Sequence, residues 1–184
     1  QSNLKILDAG CGTGLLTKKL QSFGNVVGVD ISDKAMKYSR LRKVSVKNAS
    51  INNLPFTKNT FDLVVCIDVL YHLKVRDDLA LKELYRVLKP GGILIVRVPA
   101  LNWLQRSCDL QIHTRERYSL NRLKEILIET HLKVEKISYV NLILLPAAII
   151  AFWLEKILKI RGKKTPLVKL PSSLNSFAAF LLSF

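Results

Sequence analysis

The sequence predicts an α/β fold in which helices flank a doubly wound, mostly parallel sheet. Three observations predict it. Short apolar runs alternate with longer segments of helical periodicity between residues 4 and 141, and strands that alternate with helices form parallel sheets. The first run ends in a glycine-rich turn and the second in an acidic residue, which are features of ligand-binding strand ends. With 184 residues, of which 49% are hydrophobic and 23% charged, the chain is long enough for one buried core.

The first strand is predicted at residues 4–9, because Leu4, Ile6 and Leu7 form a short apolar run that glycines interrupt at once. Along the rest of the chain, the same patterns predict helices at 13–22, 33–41, 75–88 and 119–130 and strands at 25–31, 43–48, 61–67, 92–99 and 133–141. The Pro-Gly-Gly sequence at 90–92 is expected to separate the third helix from the fifth strand.

Three glycines, Gly10, Gly12 and Gly14, follow the first strand. Their lack of side chains allows a sharp turn and lets a ligand touch the main chain. The helix that follows offers unpaired N–H groups to ligand oxygens, so the sequence predicts a nucleotide-type binding turn. A dinucleotide fingerprint needs its third glycine one residue later, and a phosphate-binding P-loop needs a lysine where Leu15 stands. Both of these ligand classes are therefore disfavoured.

The stretch D-A-G-C-G-T-G, from Asp8 to Gly14, matches the D-x-G-x-G-x-G signature, and the chain resembles class I S-adenosylmethionine-dependent methyltransferases with their Rossmann-like fold. The second strand ends in Asp30, where a carboxylate can accept both ribose hydroxyl protons. A structural turn and a surface acid are the alternative explanation. The resemblance implies a cofactor site formed by Asp8, Gly10, Cys11, Gly12, Gly14, Asp30, Ile31, Ser50, Ile51 and Asp68.

Ser50 stands where many relatives carry an aspartate bonded to the adenine amino group. Its hydroxyl can accept the same hydrogen bond, although an uncharged acceptor forms a weaker one. We therefore expect Ser50 and Ile51 to contact the adenine. Asp68, at the end of the fourth strand, is expected to hold the methionine amino group or a water molecule beside it.

The segment from Val98 to Leu127 resembles the type 11 methyltransferases often found beside cell-surface glycan genes, although Cys108, Thr114 and Glu116 depart from their pattern. The resemblance implies that residues 101–130 cover the acceptor side of the site.

Two histidines are candidate general bases, His72 just after the fourth strand and His113 in the cover segment. A structural role at a helix start is the alternative for His72. Arg115 and Arg117, with Tyr118, could bind a phosphate or carboxylate of the acceptor. Solvated loop charge is the alternative for the two arginines.

Residues 140–154 are apolar except for Asn141, and a basic stretch with Lys156, Lys159 and Arg161 follows. The apolar run is shorter than the about 20 residues that a bilayer crossing needs, and Pro146 interrupts it. A helical extension at 142–184 is therefore expected after a cofactor-binding core at 1–141. It could contact an anionic membrane through residues 140–164, or it could pack on the sheet edge or over the acceptor site.

The net charge of +15 is spread along the chain, and no run of adjacent Lys and Arg exceeds two residues. The sequence also lacks interleaved aromatic and basic residues, so a nucleic-acid acceptor is disfavoured. Cys11, Cys66 and Cys108 have no metal-ligand spacing, so no metal site is predicted. Their odd number, with no signal peptide in evidence, favours reduced thiols in the cytoplasm.

The family's leading helix and antiparallel seventh strand have no clear counterpart, which suggests a piece of a longer reading frame; residues 174–184 are the alternative source of the last strand. The resemblance implies S-adenosylmethionine-dependent methylation of a small-molecule, glycan- or lipid-linked acceptor. The alternative function is a non-catalytic module of the same fold that docks to a membrane or a protein partner.

Overall fold

A computed structural model describes residues 3–105, 109 and 113–157. Its five strands form one parallel sheet in the order β3-β2-β1-β4-β5. The strands are β1 (Leu4–Ala9), β2 (Gly24–Asp30), β3 (Ser45–Asn48), β4 (Phe61–Ile67) and β5 (Leu88–Arg97). The helices are α1 (Leu15–Leu20), α2 (Asp33–Leu41), α3 (Asp77–Val87), α4 (Leu120–Glu129) and α5 (Leu145–Ile157), with 3-10 turns at Asn102–Leu104 and Leu142–Leu144. The predicted fold class is confirmed.

The centre of the sheet is β1, which pairs with β2 on one side and β4 on the other. Ile6, Leu7 and Ala9 are fully buried there, as expected for a parallel sheet covered on both faces. From the α3 side, Leu81 and Leu84 complete this core. Because the carboxyl ends of parallel strands meet at one edge, the turns after β1, β2 and β4 lie together.

Two helices begin at serines whose hydroxyl groups cap them. The Ser32 hydroxyl accepts the Ala35 N–H at the start of α2, and the Ser119 hydroxyl accepts the Arg122 N–H at the start of α4. Each bond satisfies one of the N–H groups that a helix start leaves free. The predicted starts at 33 and 119 thus agree with the structure to within one residue.

The Pro-Gly-Gly sequence does not end the helix as predicted; it lies inside β5. This strand begins at Leu88, directly after α3, and its pairing with β4 shifts register between Phe61 and Leu63. Gly91 has a φ of 75°, which a glycine adopts without strain. A bulge therefore accommodates the tripeptide, in a place where glycines in strands are commonly found.

The predicted strand at 133–141 does not form. Residues 133–141 have no regular secondary structure, and they line a cavity of about 1520 Å³ together with residues of β5. Ile93 and Ile95 on β5 are 62% and 46% exposed. A strand pattern gives a strand only where a neighbour supplies hydrogen bonds, and within the described residues no strand pairs with the outer edge of β5.

No helix in the described part of the chain has the length and hydropathy needed to cross a membrane. The candidate last strand at 174–184 and the basic residues of 158–164 lie outside the described residues.

Candidate cofactor-binding site

The glycine turn between β1 and α1 is fastened to the end of β2 by backbone hydrogen bonds. The N–H groups of Gly10 and Cys11 both donate to the Val29 carbonyl, at 2.7 and 2.9 Å. The Gly12 N–H donates to Asp30 Oδ2 at 2.8 Å. The two sequence signals that predicted the site are therefore in direct contact.

The three glycines have positive φ angles of 83°, 52° and 76° at Gly10, Gly12 and Gly14, but their surroundings differ. A Cβ atom on Gly10 would lie 2.2 Å from a methyl group of Val69, and one on Gly14 would lie 2.8 Å from Ser39 Oγ. A Cβ atom on Gly12 would meet no atom of the residues that the structure describes within 4 Å. Gly10 and Gly14 thus allow close packing of the protein itself, whereas the Gly12 backbone faces open space where a ligand can approach.

The Asp30 carboxylate organises this end of β2. Its Oδ2 accepts the Gly12 N–H, and its Oδ1 accepts the Ser32 N–H at 2.8 Å. Each carboxylate oxygen can accept a further hydrogen bond. The next residue, Ile31, is 51% exposed. The strand end therefore presents a hydrogen-bond acceptor beside an apolar side chain, which fits a ribose hydroxyl pair and an adjacent flat base.

The end of α2 holds the turn from the other side, through Ser39 and through Arg42, which directly follows the helix; neither was identified from the sequence. Ser39 Oγ donates to the Gly12 carbonyl at 2.9 Å, and Arg42 Nη1 donates to the Thr13 carbonyl at 2.7 Å. Their spacing of three places both on one face of a helix. Sequence spacing could predict that shared face, but only the packing of α2 shows which turn it contacts.

Asp8 is not open to a ligand, in contrast to its predicted place in the cofactor site. Its side chain is buried, and Oδ2 accepts a 2.7 Å hydrogen bond from the hydroxyl of Thr17 on α1. Burial raises the pKa of the Asp8 carboxyl above its ordinary value. The role that the structure gives Asp8 is to join α1 to the end of β1 and so to position the turn between them.

Replacing Thr17 with valine is expected to lower the free energy of unfolding by about 1–3 kcal/mol near neutral pH, because the buried carboxylate loses its hydroxyl donor. The pKa of Asp8 is raised on folding, so its contribution to stability falls as the pH rises from 3.8 through the folded-state pKa. Loss of the hydroxyl raises that pKa further. We therefore expect a larger loss of stability near neutral pH than at a pH close to 3.8.

Urea denaturation at the two pH values measures this difference, and Thr13→Val is the matched control because Thr13 is exposed. An equal loss for Thr17→Val at both pH values would contradict the assigned interaction with the ionised carboxylate.

Two further predicted cofactor residues follow β3. Ser50 is half-buried, and its hydroxyl accepts the Asn52 N–H at 3.2 Å. Ile51 is buried, and its side chain packs in the core. The Ser50 hydroxyl thus shapes its own turn, while the side chain of Ile51 supports the site from inside.

The thiols of Cys11 and Cys66 are free and buried. Burial raises the pKa of each to about 12, so both are neutral near pH 7. Cys108 lies outside the described residues. Within residues 3–105, 109 and 113–157, no group of three His, Cys, Asp or Glu side chains could hold a metal ion.

At the ends of β4 and β5, Asp68 forms an ion pair with Arg97, and each side chain is nearly half exposed. Val69, the next residue, is the side chain that closes against Gly10. The chain therefore leaves β4 directly beside the glycine turn.

The structure brings the two candidate general bases into one short ribbon. His72 and Thr114 form an antiparallel bridge, and the Leu73 N–H donates to the His113 carbonyl at 3.0 Å. The His72 ring lies against the Tyr71 ring, with centroids 4.5 Å apart. His113 is exposed and has a φ of 57°.

Thr114 was not identified as a candidate from the sequence. Its hydroxyl oxygen is buried and has no hydrogen-bond partner in the described part of the chain. The bonds on either side of the bridge make His72 and Thr114 a close, non-hydrogen-bonded pair. Their side chains therefore lie on the same face of the ribbon.

The predicted acceptor-binding residues have partners within the protein. Arg115 lies 2.9 Å from both Asp77 and the Tyr118 hydroxyl. Both edges of the Arg117 guanidinium bond to protein oxygens, including a 3.0 Å ion pair with buried Asp109. Tyr118 is itself 2% exposed. Instead of facing an acceptor, these three residues hold the cover segment against α3 and β5, and acceptor contact would require their bonds to open.

Comparison with known proteins agrees with this geometry. Residues 7–96 match the family model of a methyltransferase domain. A demethylmenaquinone methyltransferase of Lactiplantibacillus plantarum is 39% identical over 106 residues, which cover 51% of this chain and 44% of that protein. The human protein named "Probable tRNA methyltransferase 9B" is 36% identical over 108 residues, which cover 58% of this chain and 24% of that protein.

Among solved structures, the S-adenosylmethionine-dependent methyltransferase of Thermotoga maritima, named as a possible histamine N-methyltransferase, has a TM-score of 0.60 at 26% identity. The similarity covers 71% of this chain and 64% of that one.

The chain spans less than half the length of each of the two curated relatives, the demethylmenaquinone methyltransferase and the human protein. The family match begins in β1 and ends in β5, so it includes the glycine turn and the end of β2. Residues 7–96 of this chain are therefore a methyltransferase domain of the type 11 family, and their relatives include an enzyme named as dependent on S-adenosylmethionine.

Proposed function

We propose that the protein transfers a methyl group from S-adenosylmethionine to a small-molecule, glycan- or lipid-linked acceptor. The observation that carries this proposal is the contact between Asp30 and Gly12, which leaves the Gly12 backbone facing open space. In the proposed complex, Asp30 accepts the ribose hydroxyls and Ile31 covers one face of the adenine. Ser50 and the Ile51 backbone lie at the adenine edge, and Asp68 faces the methionine amino group.

When bound, S-adenosylmethionine would supply an activated methyl group. A lone pair of the acceptor forms the new bond to the methyl carbon, and the electron pair of the broken carbon–sulfur bond remains on sulfur. The protein's main task is to align the acceptor. An acceptor hydroxyl or ammonium group also needs a base. We assign this role to an imidazole nitrogen of His72, which receives the acceptor's proton. The Thr114 hydroxyl, on the same face of the ribbon, is buried without a partner in the described part of the chain, so it would bond a polar atom of the acceptor only after its cover opens. His113 is the alternative base.

The named acceptors of the relatives differ, since one is a demethylmenaquinone methyltransferase and another a tRNA methyltransferase. The even spread of the basic residues supports a non-nucleic-acid acceptor. The free thiols of Cys11 and Cys66 support a cytoplasmic location, and the apolar surface of α5 supports peripheral membrane contact.

The proposal is tested by calorimetric titration of the intact protein with S-adenosylmethionine and S-adenosylhomocysteine. We expect dissociation constants of about 1–100 μM, in the range of ordinary enzyme substrates. Transfer of radiolabelled methyl groups is then measured in lipid, glycan and nucleic-acid fractions of a cell extract. His72→Ala should retain cofactor binding and lose transfer to a hydroxyl acceptor. An intact protein that binds neither ligand would instead support the non-catalytic docking module.

A further inference from the structure

Helix α5 has apolar side chains on two faces, and within the described residues only one of them packs against the rest of the protein. Leu145, Ala148, Ile149 and Phe152 follow helical spacing and are half-buried. A globular protein would place polar residues on the opposite face of such a helix.

The outer face is instead apolar. Ile150, Trp153 and Ile157 share a second stripe of helical spacing and are 61%, 51% and 69% exposed. Val140, Leu142 and Ile143, just before the helix, are also 57–65% exposed. We name these six residues the α5 patch. Large contiguous apolar surfaces of this kind usually mark sites of interaction with proteins or membranes.

The α5 patch lies at the edge of the sheet that carries the cofactor site. Phe152, on the packed face of α5, meets Trp103 edge-to-face with ring centroids 6.0 Å apart. Trp103 belongs to the 3-10 turn that follows the carboxyl end of β5. The glycine turn follows the carboxyl end of β1 in the same parallel sheet. A surface bound by the α5 patch would therefore lie near the carboxyl end of β5, at the same end of the sheet as the glycine turn.

The length and charge of this region fit a bilayer surface. The 13 residues of α5 extend about 20 Å, less than the about 30 Å of a hydrocarbon core. The ammonium group of Lys156 lies over the Trp153 ring, 5.1 Å from the ring centroid. The sequence continues with four more basic residues, Lys159, Arg161, Lys163 and Lys164. Aromatic and basic side chains together favour the interface of an anionic membrane. A net charge of +15 opposes covering of the patch by a second copy.

We propose that the α5 patch inserts into the interface of an anionic lipid bilayer and presents the cofactor site to an acceptor held in that membrane. The second half of this proposal rests on the proposed function, whereas insertion of the patch does not.

The test measures partitioning of the intact protein onto vesicles of phosphatidylcholine with about 30% phosphatidylglycerol, a surface that attracts clustered basic residues. The chain has two tryptophans, so Trp103→Phe, which retains an aromatic ring against Phe152, leaves Trp153 as the reporter. We expect a blue shift of Trp153 emission with these vesicles. The partition coefficient of the protein onto pure phosphatidylcholine vesicles should be at least about tenfold lower.

In the same background, Ile150→Ser with Ile157→Ser should reduce the partition coefficient at least about tenfold. Leu41→Ser with Ile128→Ser is the matched control, because these side chains are 79% and 55% exposed on other helices. All variants should bind S-adenosylhomocysteine in solution like the parent protein, which shows that they are folded.

Equal partitioning of the Ile150/Ile157 variant and its control would overturn the proposal, as would failure of the parent to bind the anionic vesicles. A dimer or a stable protein complex that the Ile150/Ile157 variant disrupts without lipid would assign the α5 patch to a protein partner and also overturn it. Vesicle binding without any binding of S-adenosylhomocysteine would retain membrane insertion and reject the proposed methyl transfer.

Discussion

Replacing Asp30 with alanine is expected to weaken S-adenosylhomocysteine binding at least about 100-fold, the largest effect on binding that we expect from a single side chain. The change removes the acceptor that we assign to the ribose hydroxyls. It also removes the partner of two N–H groups, those of Gly12 and Ser32, each at 2.8 Å. Hydrogen bonds to a charged acceptor are stronger than neutral ones, so the glycine turn should also lose its fixed conformation.

A second variant keeps the shape of the side chain and changes its charge and hydrogen bonding. Asp30→Asn retains the shape and one oxygen acceptor, but presents an NH2 donor where the other oxygen stood. It should lose binding almost as strongly as Asp30→Ala. Asp33→Asn is the control, because Asp33 is an exposed acid close by on α2 whose carboxylate accepts from Asn48 instead of from the turn. Calorimetry gives the affinities, and thermal unfolding without ligand gives the contribution of the turn. Binding by Asp30→Ala within a few-fold of the parent would place the ribose elsewhere.

Substituting alanine at Gly12 should weaken binding as strongly as Asp30→Ala, but with a smaller loss of stability than a substitution at a packed glycine. The new methyl group would project into open space, because no atom of the described residues lies within 4 Å of that position. The φ of 52° at Gly12 costs an alanine about 1–2 kcal/mol. In the complex the same methyl group would occupy space that we assign to the cofactor. We therefore expect a folded protein whose affinity for S-adenosylhomocysteine falls at least about 100-fold.

Gly10→Ala is the contrasting variant, because its methyl group would meet Val69 at 2.2 Å inside the protein. We expect an unfolding free energy lower by about 2–4 kcal/mol, from overpacking and the positive φ. Val69→Ala in the same chain should restore part of this stability, and it should not restore binding to Gly12→Ala. If Gly12→Ala binds S-adenosylhomocysteine normally, the open space beside Gly12 is not the cofactor site.

Local sequence patterns predicted the sheet and its flanking helices because their determinants lie within a few residues. The buried runs of β1 and β4 and the serine caps of α2 and α4 are of this kind. The segment at 133–141 shows the limit of such patterns. Its apolar residues are compatible with a strand, but strand formation depends on a neighbour distant in sequence.

The same limit applies to the site. Gly12 and Asp30 could be paired from the sequence, because a known arrangement joins the ends of adjacent parallel strands. The contacts of Ser39 and Arg42 with the turn could not, because they depend on how α2 packs across it. Likewise, the sequence could not show that Arg115 and Arg117 are held by Asp77 and Asp109.

The sequence by itself determined the fold class, the glycine turn, the carboxylate at the end of β2 and the family. Each follows from residue type and short-range spacing, which limit the backbone directly. Only the tertiary structure decided that Asp8 is buried beneath the turn, that Thr114 lies beside His72 and that no described residue covers the outer face of α5. These features depend on which side chains meet after the sheet closes, because burial and hydrogen bonding are set by neighbours far apart in the chain.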